Sequence, residues 1–253
     1  MNLIYDNDGA RMYQGDARNM DALADGGVHL VVTSPPYYNA RDYSQWSSYQ
    51  EYLVDMQLAW RECYRVLCDG GRMAVNVPQG YDRPGKDGGY KPFEVDTTRA
   101  LVECGFELRG HIVWVKMGLA NQNAGTAWGS WKSANNPSLR DGHEIIIVAH
   151  KGKPGRTGGK STISRDEFLE YTRSVWSIRP QTQSWHPAPF PQELPYRLIQ
   201  LYSYAGDTVL DPFAGSGTTV WVAAQNGRVG IGVEQRLDYI ERACGPMFCK
   251  GVK

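Results

Sequence analysis

The chain has 253 residues, of which 42% are hydrophobic, 21% charged and 11% aromatic. That length suits one large domain or two small ones, and the ordinary apolar fraction excludes a disordered or fibrous chain. Lys+Arg and Asp+Glu both number 27, so no overall basic coat points to nucleic acid, while a local one stays open because binding depends on where the charges lie. No apolar run approaches the ~20 residues that cross a bilayer. The opening MNLIYDNDGARMYQGD carries acids where a secretion signal would be apolar. Five scattered cysteines without an export signal read as reduced thiols. A cytoplasmic protein is expected. Cys244 and Cys249 have no second His/Cys pair near them, so no metal site is expected.

The first strong strand is Val28 to Val32, a β-branched run ending at a proline pair. Ser48 to Leu67 reads as a helix, with Ser48 and Glu51 as a capping box and Leu53, Met56, Trp60, Tyr64 and Leu67 on one apolar face. Asp69-Gly70-Gly71 ends it, and Met73 to Val77 forms the next strand. Residues 78–91 are a loop rich in Gly, Pro, Asp and Lys, and Pro92 opens a second helix that stops before Gly105. His111 to Lys116 and Glu144 to His150 are strand-like, separated by a polar stretch with Trp128 and Trp131. Lys151 to Lys160 mixes Lys151, Lys153, Arg156 and Lys160 with glycine and proline. A helix over about 192–204, a strand Thr208 to Leu210, a glycine loop, a helix Thr218 to Asn226 and a strand Val229 to Val233 follow. Strand, loop, helix, strand is a βαβ unit, so the class is α/β with a largely parallel sheet.

The glycine loop is Asp211-Pro-Phe-Ala-Gly-Ser-Gly-Thr-Thr219, placed where a strand ends and a helix begins. Gly215 and Gly217 lack a Cβ, which lets a ligand lie against the backbone. Free N–H groups at the helix start attract a carboxylate or phosphate. Glu234 closes the following strand, a position from which a carboxylate can grip the two hydroxyls of a ribose. The loop therefore predicts an adenosine-containing ligand. Val220 stands where a dinucleotide fingerprint has its third glycine, and the lysine of a phosphate-binding loop is missing, so the loop alone does not say which ligand.

Thr33-Ser34-Pro35-Pro36-Tyr37 directly follows the first buried strand. Its prolines fix two φ angles and remove two N–H donors. The carbonyls and the Ser34 hydroxyl are thereby held at the strand's carboxyl end, the usual ligand edge of an open α/β sheet. Tyr37 adds a flat ring. Such a set can accept hydrogen bonds from an exocyclic amine while stacking on the ring that bears it.

Together the two segments resemble those of the beta group of DNA amino-methyltransferases, which move a methyl group from S-adenosylmethionine to an exocyclic amine of a base. Asp211 to Thr219 resembles the family's methionine-binding loop and Thr33 to Tyr37 its catalytic motif, in the beta group's permuted order. Weaker likenesses run along the chain. Gly15-Asp16 resembles the acid that contacts the cofactor adenine. His186-Pro-Ala-Pro-Phe-Pro191 resembles a segment that closes over the cofactor, and Trp114-Val-Lys116 and His143-Glu144 resemble paired sheet-edge strands.

The resemblance implies a single Rossmann-like domain over residues 1–253, with seven mostly parallel strands and helices on both faces. It implies S-adenosyl-L-methionine as cofactor, held by Asp16, Thr33, His186, Pro187, Phe190, Asp211, Phe213, Ala214, Gly215, Ser216, Gly217, Thr218, Thr219 and Glu234. Ser34, Pro35, Pro36 and Tyr37 are its catalytic residues, and double-stranded DNA with a flipped target nucleotide is its substrate. Recognition loops are expected around 78–91, 118–141 and 151–185, with Lys153, Arg156 and Lys160 on phosphates. A homodimer and a cognate restriction endonuclease are the further partners it allows. Ser34 favours cytosine N4, with adenine N6 as the alternative. Cytosine C5 chemistry would need a nucleophilic cysteine, and the chain has no Pro-Cys pair. A protein-glutamine methyltransferase would carry asparagine in place of Ser34 and its cofactor loop ahead of the motif. A non-catalytic DNA-binding module is the alternative of a different class.

Overall fold

A computed structural model describes residues 1–39, 45–82, 89–116, 129–137, 139, 142–181, 185 and 191–245 of the protein. The chain opens with an antiparallel hairpin, β1 (Asn2–Asn7) and β2 (Ala10–Gln14). Sequence reasoning missed it, although the signal was there. Asp8 and Gly9 form the two-residue turn with φ 49° and 80°, the left-handed geometry that Asp-Gly favours.

β3 (Val28–Thr33) leads through the Pro-Pro segment to α1 (Tyr49–Val66). The Ser48 side chain accepts from Glu51 N at 3.1 Å, as predicted, but the returning Glu51 carboxylate takes the N–H of Ser47 rather than of Ser48. The helix ends at Val66, and Asp69-Gly70-Gly71 is not the stop that was expected. β4 (Leu67–Val77) begins at once, and those residues form a bulge: the register against β3 jumps from Val28–Leu67 to Leu30–Arg72. The expected loop 78–91 contains a short ladder, β5 (Tyr81–Asp82) with β6 (Tyr90–Lys91). Then come α2 (Phe93–Glu103), β7 (Glu107–Lys116), β8 (His143–His150), α3 (Arg165–Tyr171), β9 (Val175–Ile178), α4 (Glu193–Tyr202), β10 (Thr208–Asp211), α5 (Thr218–Gln225), β11 (Val229–Glu234) and α6 (Leu237–Cys244).

The main sheet has the order β1-β2-β11-β10-β3-β4-β8-β7-β9. It has nine strands rather than the seven implied by the resemblance, because β1 and β9 add one strand at each edge. Only β1 and β8 run against the rest. Strand alternation divides the core between the two faces. Val31, Ile145 and Ile147 point to the layer of α1 and α2, where Trp60, Tyr52 and Phe93 are buried. Leu30, Val32, Ile146 and Val148 point to the other face, against Trp176, Leu194, Leu198 and Val222. Both ends of the chain thus enter one sheet. The carboxyl ends of β2, β11, β10, β3, β4, β7 and β9 share one edge with the start of β8. Among the described residues no helix is long and apolar enough to cross a membrane.

Candidate active site

The Pro-Pro segment and the glycine loop meet at that carboxyl edge because β3 and β10 are neighbours. Thr33 Oγ1 donates to Asp211 Oδ1 at 2.7 Å, a buried bond across 178 residues of sequence. The same oxygen accepts from Phe213 N at 3.1 Å. Asp211 is 1% exposed, and burial pushes its carboxyl up to about 6 despite these bonds. Thr33 and Thr219 are as deeply buried, and Thr219 Oγ1 donates to the Val32 carbonyl at 3.4 Å. Thr33, Asp211 and Thr219 therefore brace the loop from beneath.

The loop is folded by its glycines. Gly215 and Gly217 have φ of 51° and 72°, in the left-handed region that side chains disfavour. Gly217 N donates to Ala214 O at 2.7 Å, and Ala214 N to Val233 O at 3.0 Å. The Ser216 and Thr218 hydroxyls lie 3.0 Å apart at the start of α5. Glu234 Oε2 accepts from Gly215 N at 2.9 Å and Oε1 from Arg236 N at 2.9 Å. Burial pushes this carboxyl above its ordinary range, against those bonds. Gly230 in β11 lets α5 pack this close, since a Cβ there would run into the Val220 carbonyl.

Asp16 lies next along the edge, in an open depression of about 510 Å³ lined by Asn2, Gln14, Gly15, Asp16, Arg18 and Gln235. Burial pushes its carboxyl up, but bonds from Arg18 outweigh that and hold it below the ordinary range. Arg18 also donates to Asp55 at 2.8 Å, and Asp55 accepts from Trp46 Nε1 at 2.9 Å. Trp46 and the buried Tyr38 pack against Tyr52, so both anchor the segment after Tyr37.

On the other side of the Pro-Pro segment stands a polar network that sequence reasoning did not assign. The Tyr37 hydroxyl lies 3.1 Å from Ser34 Oγ and 3.2 Å from Glu144 Oε2. Asn76 Nδ2 donates to the same Glu144 oxygen at 2.5 Å, and Lys116 Nζ pairs with Glu144 Oε1. Burial, then the Glu144 charge, push the Tyr37 hydroxyl well above its ordinary range, so it keeps its proton. The signal was a polar residue within a buried strand: Asn76 in β4 and Glu144 at the head of β8. Among the described residues no cluster of His, Cys, Asp or Glu is arranged to hold a metal ion.

The predicted basic residues are not at this edge. β8 runs antiparallel to β4, so residues 151–160 emerge at the amino ends of the parallel strands. Arg156 pairs with Asp207, just before β10, and its guanidinium lies 5.4 Å from the Tyr204 ring centre. Lys153 lies 3.6 Å from Asp69, and the Lys160 carbonyl accepts from Ala205 N. The length of β3, roughly 17 Å at strand rise, separates them from Ser34. Any phosphate contact of Lys153, Arg156 and Lys160 would therefore fall at the edge of the sheet opposite Ser34. Residues 161–178, within the expected recognition region, carry α3 and β9. Arg197 in α4 bonds Glu170 of α3 and lies over Tyr171, and Trp176 of β9 is buried. His186, Pro187, Phe190 and Trp128 lie outside the described residues.

The sequence profile of the DNA methylase family matches residues 28–244. Type II methyltransferase M.MjaI of Methanocaldococcus jannaschii is 31% identical over 87% of this chain and 85% of its own length. Type II beta methyltransferase M.BslI of a Bacillus species is 29% identical over 96% of this chain, which spans only 28% of that longer protein. Among solved structures, TTHA0409 of Thermus thermophilus complexed with S-adenosyl-L-methionine is similar with a TM-score of 0.75. It is 31% identical, and 92% of this chain and 91% of that chain are covered. The cytosine-N4-specific PvuII DNA methyltransferase shares the fold, with a TM-score of 0.73 at 21% identity over 92% of this chain and 84% of its own.

Proposed function

From the premise that the chain belongs to the DNA methylase family of N6 and N4 type, we propose that it methylates the N4 amine of a flipped cytosine in double-stranded DNA. The reaction class, amino-methyl transfer to DNA from S-adenosyl-L-methionine, follows from the family. The base is our reading. The observation that carries the site is the Thr33–Asp211 bond, which joins the Pro-Pro segment to the glycine loop at one sheet edge.

The residues present fit the cofactor. Glu234 keeps free lone pairs at the end of β11, where ribose hydroxyls can donate. The start of α5 offers N–H groups to a carboxylate, and the depression beside Asp16 suits an adenine. Phe213, Ala214, Gly215, Ser216, Gly217, Thr218 and Thr219 form the loop that would cradle the methionine part. When bound, S-adenosyl-L-methionine supplies an electrophilic sulfonium methyl group.

The target amine is a poor nucleophile because its lone pair is delocalised into the base. Acceptors at both N–H bonds, Ser34 Oγ and the Pro35 carbonyl, favour pyramidal nitrogen and free that pair. They also stabilise the positive charge that develops on nitrogen, most strongly in the transition state. Pro35 and Pro36 hold these acceptors in place, and the Tyr37 ring would stack on the base.

DNA is proposed to approach the carboxyl edge. β4 and β7 end at that edge and β8 begins there, next to the expected recognition loops 78–91 and 118–141. The Type II names of the relatives are compatible with a cognate restriction endonuclease as a partner. One experiment tests the reading: incubate plasmid DNA with methyl-labelled cofactor, digest to nucleosides and identify the labelled one. N4-methylcytosine is expected, with Ser34→Ala about a hundredfold slower at unchanged cofactor affinity. Labelled N6-methyladenine would move the target to the alternative base, and no labelled nucleoside would overturn the reading.

A further inference from the structure

We infer that Glu144 is a positioning residue: acting through Tyr37, it turns the Ser34 proton inward and leaves Ser34 Oγ as an acceptor toward the target amine. This rests on the methyl-transfer reading above. It assigns to that reaction a residue 107 positions from Tyr37, with no place of its own in the Pro-Pro motif.

Proton counting sets the direction of each bond. The Tyr37 hydroxyl has a single proton and three polar neighbours. Asn76 Nδ2, at 3.4 Å, is a donor and cannot receive it. Glu144 Oε2, at 3.2 Å, belongs to a carboxylate that only accepts. Ser34 Oγ, at 3.1 Å, can do either. A bond to a charged acceptor is the stronger, so the Tyr37 proton goes to Glu144. The tyrosine oxygen is then left to accept, and the contact with Ser34 has only one sense: Ser34 donates. With its one proton committed, Ser34 Oγ presents lone pairs to whatever lies beyond it. An N–H is what such an atom can hold.

Two further features keep the polarity fixed. Lys116 pairs with Glu144 from the neighbouring strand, an ion pair in which the carboxylate is the acceptor. Asn76 is 2% exposed and turns its amide nitrogen to Glu144, while its Oδ1 has no partner among the described residues. The amide is thus oriented to serve the carboxylate at the expense of its own oxygen. Reversing the Ser34–Tyr37 bond would point the Ser34 proton at the amine, where it would repel an N–H.

Glu144→Gln tests this with little change of shape. The amide can donate to Tyr37, which then donates to Ser34 and reverses the chain. Single-turnover methyl transfer should fall about a hundredfold, the effect of losing one transition-state acceptor, with cofactor affinity by calorimetry and KM for DNA unchanged. Tyr37→Phe should slow transfer by a similar factor, and E144Q/Y37F should be no slower than Y37F alone, because Glu144 acts only through the tyrosine. A residue needed merely for structure would give losses that multiply in the double variant. Such multiplication, or a wild-type rate in E144Q, overturns the inference. Should E144Q alone not fold, the neutralised pair K116M/E144Q carries the same comparison. Absence of transfer by the wild-type enzyme would instead overturn the methyl-transfer reading, and this inference with it.

Discussion

At Asp211 one buried carboxylate oxygen holds both the Thr33 hydroxyl and the backbone of the glycine loop. The arrangement places a charge in the interior, and its effect on stability has a definite sign. Burial raises the carboxyl from 3.8 to about 6 in the folded chain. Folding therefore favours the protonated form, and the stability Asp211 contributes is present below pH 3.8 and lost as pH rises through about 6. Asp211→Asn keeps an acceptor for Thr33 and Phe213 without the charge. Its stability relative to wild type should rise between pH 4 and pH 7 by on the order of 3 kcal/mol. Urea unfolding at several pH values checks this, and an equal difference at both ends of the range would show that Asp211 is ionised without cost. Glu144 illustrates the other solution to the same problem, since a carboxylate nearly as buried has Lys116 as its counter-ion.

At the scale of elements, the site depends on one strand–loop–helix unit. β10 delivers Asp211, two left-handed glycines reverse the chain, and α5 packs against β11 through the space left by Gly230. Gly217 is the N-cap of α5 at φ 72°, where a β-branched side chain costs about 1–2 kcal/mol. Gly217→Val should lower the melting temperature by roughly 2–8 °C and abolish cofactor binding by calorimetry. Gly217→Asn, which tolerates that φ, should lose less of both. Equal cofactor affinity in wild type and a folded Gly217→Val would remove the loop from the binding site.

The whole molecule decides which surface meets DNA. Asp16, Glu234, Asp211, Thr33, Asn76, Lys116 and Glu144, in or just past β2, β11, β10, β3, β4, β7 and β8, collect at one edge, while residues 151–160 close the other. Lys153→Ala with Lys160→Ala should therefore leave the salt dependence of DNA binding unchanged. β7 and β9 both end at the functional edge; Lys132 lies in the connection from β7 to β8, and the exposed Arg179 directly follows β9. Replacing each by alanine should flatten the slope by about one phosphate contact if both meet the backbone. Fluorescence anisotropy across a salt series separates the cases. A slope reduced by the first pair and untouched by the second would place DNA on the opposite edge.

The sequence by itself was enough for the elements that advertise themselves locally. Val28 to Val32, the apolar face of α1 and the β10–α5–β11 unit each carry their period and their breakers within a short window, and the structure has them within a residue or two. The two motifs were legible because proline and glycine restrict the backbone wherever they stand. Other local signals were present but passed over: Asp8-Gly9 for the first hairpin, and Ser164 with Glu167, whose side chains form the capping box of α3. Strand order and direction decided the rest. That Thr33 touches Asp211, that Glu144 reaches Tyr37, and that Arg156 turns away to Asp207 are facts about which strands are neighbours and which way β8 runs. A residue's partner 107 or 178 positions distant is chosen by packing of the whole chain, and no local pattern of side chains encodes it.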